Sequence, residues 1–271
     1  MEKGQLIARG RTAEVYQYGE GRVLKLFYSW YPDMYVEREA EHTKRIVQSG
    51  IRAPMVYGMV GIEERKGIIF QQLRGETYLN IISRQGFSLP EYTKKMAKIH
   101  TQILAHEDAS LSSLKARLHD SISGLPNLPG ELKKFCLQIL DELPDGNAIC
   151  HFDFHPDQIM QTTNGDYVID WSSLCRGNPC ADIARTSYLL TMSTTQHLPW
   201  LLRILIKIMR ATMHRIYIKQ MLKLNPMVTI ESIEKWKIPI SAGRLAENIE
   251  EENLSILSFL EKAYSKSKSK I

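Results

Sequence analysis

The 271 residues contain only four cysteines, Cys136, Cys150, Cys175 and Cys180, and no C-x-x-C pair. That spacing offers neither a disulfide framework nor a structural zinc site, and the N-terminus lacks a signal-peptide pattern. Reduced thiols and a cytoplasmic location are expected. Charge of either sign is never in large excess: 35 Lys and Arg stand against 30 Asp and Glu, a net +5. The surplus is too small and dispersed to argue for nucleic acid binding, though it leans toward anionic ligands. Long uncharged apolar runs are missing too. The most apolar basic stretch, Leu198 to Lys223, is interrupted by Arg203, Lys207, Arg210, Arg215, Lys219 and Lys223. Those charges exclude a transmembrane span, and their spacing puts them on one helical face, which predicts a packed surface helix, with membrane contact not expected and a membrane-surface or partner helix as the alternative. Low complexity is confined to the Ser-Lys tail, 265–270, which reads as a solvated, frayed end. What remains, 44% hydrophobic and 24% charged, is ordinary globular composition with enough chain for one or two domains.

Residues 5–27 read as three short strands, Gln5-Leu6-Ile7, Glu14 to Gln17 and Arg22 to Phe27, with turns at 8–13 and at Gly19-Glu20-Gly21. In the third strand Leu24 and Leu26 share one face and Lys25 takes the other. A helix from about Met34 to Ser49, closed by Gly50, puts Val36, Ala40, Thr43 and Val47 on one face. Glu39 borders that face, while Glu37 and Glu41 point to water, so Glu39 is the glutamate placed to meet Lys25. Two more strands, Met55 to Val60 and Ile68 to Leu73, surround a turn at 63–67. From Thr77 the pattern becomes helical, with clear periodicity over Tyr92 to Leu104 and Leu132 to Leu143.

The most informative stretch is Ile149 to Trp171, I-C-H-F-D-F-H-P-D-Q-I-M-Q-T-T-N-G-D-Y-V-I-D-W. Apolar segments ending at Cys150 and rising again at Tyr167-Val168-Ile169, with Asn164-Gly165 between, predict a hairpin carrying Asp153 and Asp170 at one end. Phosphoryl transfer needs one carboxylate at the attacking hydroxyl and a second for the magnesium that neutralises the phosphates.

This stretch resembles the catalytic segment of the aminoglycoside phosphotransferase and choline kinase group, small-molecule kinases with a protein-kinase-like fold, whose pattern is H-G-D-x-x-x-x-N followed by I-D-W. His151 and Asp153 match the H and D, Phe152 replaces the glycine, Gln158 falls at the asparagine, and Asp170 matches the metal-binding aspartate. The resemblance implies a bilobal α+β fold: residues 1–73 as a nucleotide-binding lobe with a five-stranded antiparallel sheet and a helix, residues 74–271 as a helical catalytic and acceptor-binding lobe. It implies ATP and magnesium as cofactors and a small-molecule hydroxyl as acceptor. Asp153 would be the catalytic base, with Gln158 and Asp170 as metal ligands. Lys25, positioned by Glu39, would contact the phosphates under a turn containing Gly10 and Thr12, and backbone near Gln71 and Leu73 would meet the adenine. The turn reads A-x-G-x-x-A-x-V, keeping only the middle glycine of the kinase loop.

By the same resemblance Asp182 braces the catalytic loop. Eleven residues separate it from Asp170 and no A-P-E follows, so a peptide-docking activation segment does not fit. His155 is read as loop support, His100 as a hydrogen-bonding core histidine, and the glutamates of 247–252 as a solvated helix face. Phe152, Gln158 and the thinned glycine loop leave a second reading open, a kinase-like nucleotide-binding or scaffold protein with impaired chemistry.

Overall fold

In β3 (Arg22–Phe27) Leu24 and Leu26 are fully buried, and the strand lies at the centre of a five-stranded sheet. A computed structural model describes residues 3–192 and 199–269; Leu198, at the head of the basic stretch, and Lys270, in the tail, lie outside them. The sheet is antiparallel in the order β1 (Leu6–Arg9), β2 (Ala13–Gln17), β3, β5 (Arg65–Gln71), β4 (Val56–Ile62). Alternation gives it two faces. One buries Ala13, Phe27, Ile68 and Phe70 against Val36 and Ala40 of α1 (Asp33–Gln48); the other gathers Tyr18, Leu24 and Leu26 under Tyr16, Val60 and Ile69. The buried stripe of α1 ends at Ile46, with Val47 only half-buried. The turn between β4 and β5 is tighter than the sequence suggests. Glu63 and Glu64 both take positive φ, 50° and 61°, so Arg65 and Lys66 already belong to the strand.

Backbone packing divides the chain into two compact units, Met1–Arg84 with Pro156–Leu174, and Gln85–His155 with Cys175–Ile271. The first also contains α2 (Tyr78–Arg84) and a three-stranded sheet in the order β6 (Gly75–Thr77), β8 (Ile159–Thr162), β9 (Gly165–Val168). This corrects the expected hairpin. Asn164-Gly165 does turn the chain, with Gly165 at φ 112°, but it joins β8 to β9. The segment ending at Cys150, β7 (Ala148–Cys150), pairs instead with β10 (Cys175–Gly177) in the second unit.

The rest of the second unit is helical: α3 (Leu89–Leu104), α4 (Leu114–Ser123), α5 (Gly130–Glu142), α6 (Pro179–Met192), α7 (Trp200–Leu224), α8 (Ile230–Arg244) and α9 (Glu250–Lys268). The periodicity reading missed α4, a short helix capped by the Ser113 hydroxyl, which accepts from Ala116 N at 3.2 Å. Pro239 sits inside α8 rather than ending it. Three further readings change. The tail is helical to Lys268, in a last turn that carries Lys266 and Lys268. In α7, Met213, Tyr217, Ile218 and Met221 are buried, but Trp200, Leu201, Leu202 and Leu205 are exposed, so only its second half packs as expected. And the 247–252 glutamates are a solvated face only in part: Glu250 and Glu251 are exposed, but Glu252 is buried and accepts from Arg244 Nε (2.8 Å) and Tyr188 Oη (2.9 Å), while Glu247, though exposed, accepts from Arg185 Nη2 at 2.7 Å and pairs with Arg244.

Candidate active site

In the first unit the site is built on α1 and β3. Lys25, one residue from each core leucine, faces the α1 side of the sheet and donates to Glu39 Oε1 at 2.7 Å and to Asp170 Oδ1 at 3.5 Å. A central strand under a helix shields the lysine, whose side chain is 16% exposed and that of Glu39 3%, whereas Asp170 keeps 35%. Two carboxylates therefore share one buried cation. Burial opposes the charge on Lys25, yet Asp170 and Glu39 together hold its pKa above the ordinary lysine value. Burial raises Glu39 to about 7, with the nearby Asp170 charge working in the same direction and Lys25 against it.

Asp170 follows β9 in the left-handed region, φ 59°, which aspartate tolerates better than most residues. The turn after it is fixed on both sides: Trp171 is buried with its indole N–H donating to Val168 O at 3.0 Å, and His42 Nδ1 donates to Trp171 O at 3.1 Å. His42 and Glu39 lie one turn apart on α1, so a single helix holds both the lysine and the backbone beside Asp170. Gln158 is tied to the same end of the β8–β9 hairpin, where Ile169 N donates to its carbonyl at 2.9 Å. Thr77 Oγ1 donates to the neighbouring Asp157 at 2.9 Å. A carboxylate and an amide, both hard oxygen donors, are what magnesium takes when phosphate groups and water complete its shell. Among the described residues no group of three or more His, Cys, Asp or Glu gathers for a metal, and a magnesium shared with phosphates requires none.

Gly10 and Thr12 lie in the β1–β2 turn, closed by Gly10 N to Ala13 O (2.8 Å) and Tyr28 N to Thr12 O (2.9 Å). Gly10 has no positive φ, and an added Cβ would meet only Ala13 O at 3.4 Å, so backbone geometry does not demand glycine there. Gln71 ends β5 and is bonded through its N–H to Met55 O at 2.8 Å; Leu73 follows, half-buried, before β6.

The second unit carries Asp153. Its loop is suspended from Asp182 in the first turn of α6: His151 N and Phe152 N donate to the two carboxylate oxygens at 2.7 and 2.9 Å, and His100 Nε2 donates at 3.1 Å. Burial works against the Asp182 charge, but His100 and these N–H groups outweigh it and hold the carboxyl below its ordinary value. Further bonds run from Arg185 Nε to Phe152 O (3.2 Å) and from Thr186 Oγ1 to Phe154 O (2.9 Å). His151 is fully buried, and its Nδ1 accepts from Asp153 N at 3.3 Å; His155 Nε2 lies 3.8 Å from Asp153 Oδ2.

Phe152 shows why the loop can depart from the glycine pattern. Its backbone adopts φ 61°, the conformation glycine enters at no steric cost, while its ring is buried between the guanidinium groups of Arg117 and Arg185, 4.7 and 5.2 Å from the ring centre. The sequence reading named neither arginine. Arg185 lies one helical turn beyond Asp182, so the two share a face of α6 and that spacing could have flagged it. Nothing local marks Arg117, which α4 delivers from 35 positions upstream in the chain.

A strand lysine bonded to a helix glutamate, an aspartate just past a β-hairpin, and a second aspartate in a loop braced by a helix define a protein-kinase-like phosphotransferase fold. The chain belongs to the phosphotransferase enzyme family, whose pattern it matches over residues 3–203, and is a small-molecule kinase by class. No curated protein sequence matches it. Among solved structures it is similar to a thermostable mutant of aminoglycoside phosphotransferase APH(4)-Ia in ternary complex with ADP and hygromycin B (13% identity, 97% of this chain and 92% of that one, TM-score 0.65). It is similar also to a putative fructosamine-3-kinase from Haemophilus somnus (12%, 97% and 90%, 0.61) and to APH(2")-IIa with streptomycin and ATP (13%, 96% and 91%, 0.58). At these identities the likeness concerns the fold, mixed α+β and protein-kinase-like.

Proposed function

We propose that the protein transfers the γ-phosphoryl group of ATP, with magnesium, to a hydroxyl of a small molecule. The observation that carries this reading is the buried Glu39–Lys25–Asp170 triad, a cation held ready on a central strand with one carboxylate dedicated to it and the other left partly open. In this reading residues 1–73 are the nucleotide-binding lobe and 74–271 the catalytic and acceptor lobe. Lys25 grips the α and β phosphates and Glu39 keeps it extended. The Gly10–Thr12 turn covers the phosphates, and backbone at Gln71 and Leu73 meets the adenine. Asp170 and Gln158 hold magnesium, which when bound neutralises phosphate charge. Asp153 accepts or orients the acceptor's proton, His155 supports it, and Asp182 with His151 keeps its loop in place.

Phe152 does not argue for lost chemistry, because the backbone there already takes the conformation that glycine would supply. The neighbours solved with ADP, ATP or an aminoglycoside support nucleotide binding and a polyhydroxylated acceptor class. Four buried free cysteines support a reducing, cytoplasmic setting.

The test is thermal unfolding with ATP, with and without magnesium, followed by turnover on a panel of hydroxylated acceptors. Nucleotide at about 100 times its dissociation constant adds about 2.7 kcal/mol, a clear rise in midpoint. Native protein should show magnesium-dependent stabilisation that Asp170→Ala loses, while Asp153→Ala keeps the stabilisation and loses turnover. Stabilisation indifferent to magnesium, or full turnover by Asp153→Ala, would refute the assignment.

A further inference from the structure

The strand that leads into His151 ends in a cysteine, and that cysteine has a partner. In the β7–β10 ribbon Cys150 and Cys175 are direct register partners, so their side chains leave the same face of the same two strands. Residues so opposed have Cα atoms roughly 4.5–5.5 Å apart, inside the roughly 4.4–6.8 Å that a disulfide spans. Neither residue has any exposed surface. Arg117 Nη2 lies 3.5 Å from Cys175 Sγ, and the same guanidinium stacks on the ring of Phe152, next to Asp153. Cys136 and Cys180 lie on other elements, in α5 and α6.

We propose that Cys150 and Cys175 form a reversible disulfide that shifts the His151–Asp153 stretch. The arrangement separates the roles of the two sulfurs. Burial opposes ionisation of Cys175, but the Cys150 thiol and Arg117 hold it below the ordinary thiol range, whereas Cys150, donor in that contact and buried, is pushed well above it. Cys175 is thus the sulfur that reacts with a peroxide: it takes one oxygen, the O–O bond breaks, and hydroxide leaves. The Cys150 sulfur then attacks the resulting sulfenic acid, the S–S bond forms, and the oxygen departs as water. In sum two thiols give two electrons and two protons to hydrogen peroxide, which becomes two waters. A dithiol reductant reverses the step by exchange.

Two features make the bond reversible rather than structural. Cross-strand Cβ atoms stand roughly 4.5–5.5 Å apart, slightly wider than a relaxed disulfide allows, and strained disulfides are the more easily reduced. The ribbon has only three residues per strand, and because both sulfurs are buried in it, oxidant and dithiol alike reach them when it opens. Closing the bond draws in Cys150, the residue before His151, and alters the sulfur that Arg117 contacts, while the same guanidinium stacks on Phe152. Both changes converge on Asp153. Oxidation would therefore lower phosphotransfer, and this last consequence rests on the function proposed above.

The experiment treats reduced full-length protein with hydrogen peroxide, alkylates it in denaturant, maps the peptides, and follows backbone hydrogen exchange over 151–155. The expected result is loss of two of the four thiols, one linkage joining Cys150 to Cys175, recovery with dithiothreitol, and faster exchange at His151 and Phe152 in the oxidised form. Cys175→Ser should keep its three thiols, and Cys150→Ser should stop at a dimedone-reactive Cys175. Four intact thiols, a linkage through Cys136 or Cys180, or oxidation to sulfinic acid without a linkage would overturn the site. A Cys150–Cys175 linkage with unchanged exchange would overturn its effect on the loop. Failure of the reduced protein to turn over any acceptor would count against the phosphotransfer reading alone, because mapping and exchange do not use activity.

Discussion

At the scale of single residues, Phe152 holds two opposed effects in one side chain. A bulky residue in the left-handed region costs about 1–3 kcal/mol, and two guanidinium stacks return about 0.5–2 kcal/mol each, in addition to burial of the ring. Phe152→Gly removes the strain together with the stacks, whereas Phe152→Ala loses the stacks and keeps the strain. The alanine variant should therefore be the less stable of the two, by about 1 kcal/mol, in denaturant unfolding. Equal stability would mean that the backbone relaxes once the ring is gone.

Between elements, the junction of α6, α8 and α9 is electrostatic. Arg244 bonds Glu252 through Nε and Nη2 and pairs with Glu247, Arg185 pairs with Glu247, and the Tyr188 hydroxyl completes the Glu252 shell. Arg244 and Tyr188 keep Glu252 ionised against burial, which by itself would raise its pKa. Removing Glu252 strips the buried Arg244 of two of its bonds and leaves it Glu247 alone, so Glu252→Ala should cost about 3 kcal/mol, while an isosteric Glu252→Gln costs less. Calorimetry of the two variants checks the order. These acidic residues read as a solvated face because the sequence shows their spacing along the helix and nothing of the arginines brought in from α6 and α8.

For the whole molecule, the Asp182 hub predicts a pH dependence of folding. Its folded pKa lies below the unfolded value of about 3.9, so its stabilisation is complete above that value and is lost as pH falls through the folded value. Asp182→Asn removes this dependence. The gap in unfolding midpoint between native protein and variant should be widest near neutrality and narrow from about pH 4 downward. A gap that stays constant to about pH 2 would show that Asp182 acts through shape and not through charge.

Local pattern in the chain was enough to specify the strands of the first sheet, helix α1 and the pairing of Lys25 with Glu39, because strand alternation and helical period are encoded residue by residue. The resemblance of one short stretch then supplied the family. Other features depended on tertiary structure: that β7 pairs with β10 rather than closing a hairpin with β9, that Phe152 lies between Arg117 and Arg185, and that Cys150 faces Cys175. In each, the partners are distant in sequence and are brought together by packing of whole elements, and no local spacing carries that information.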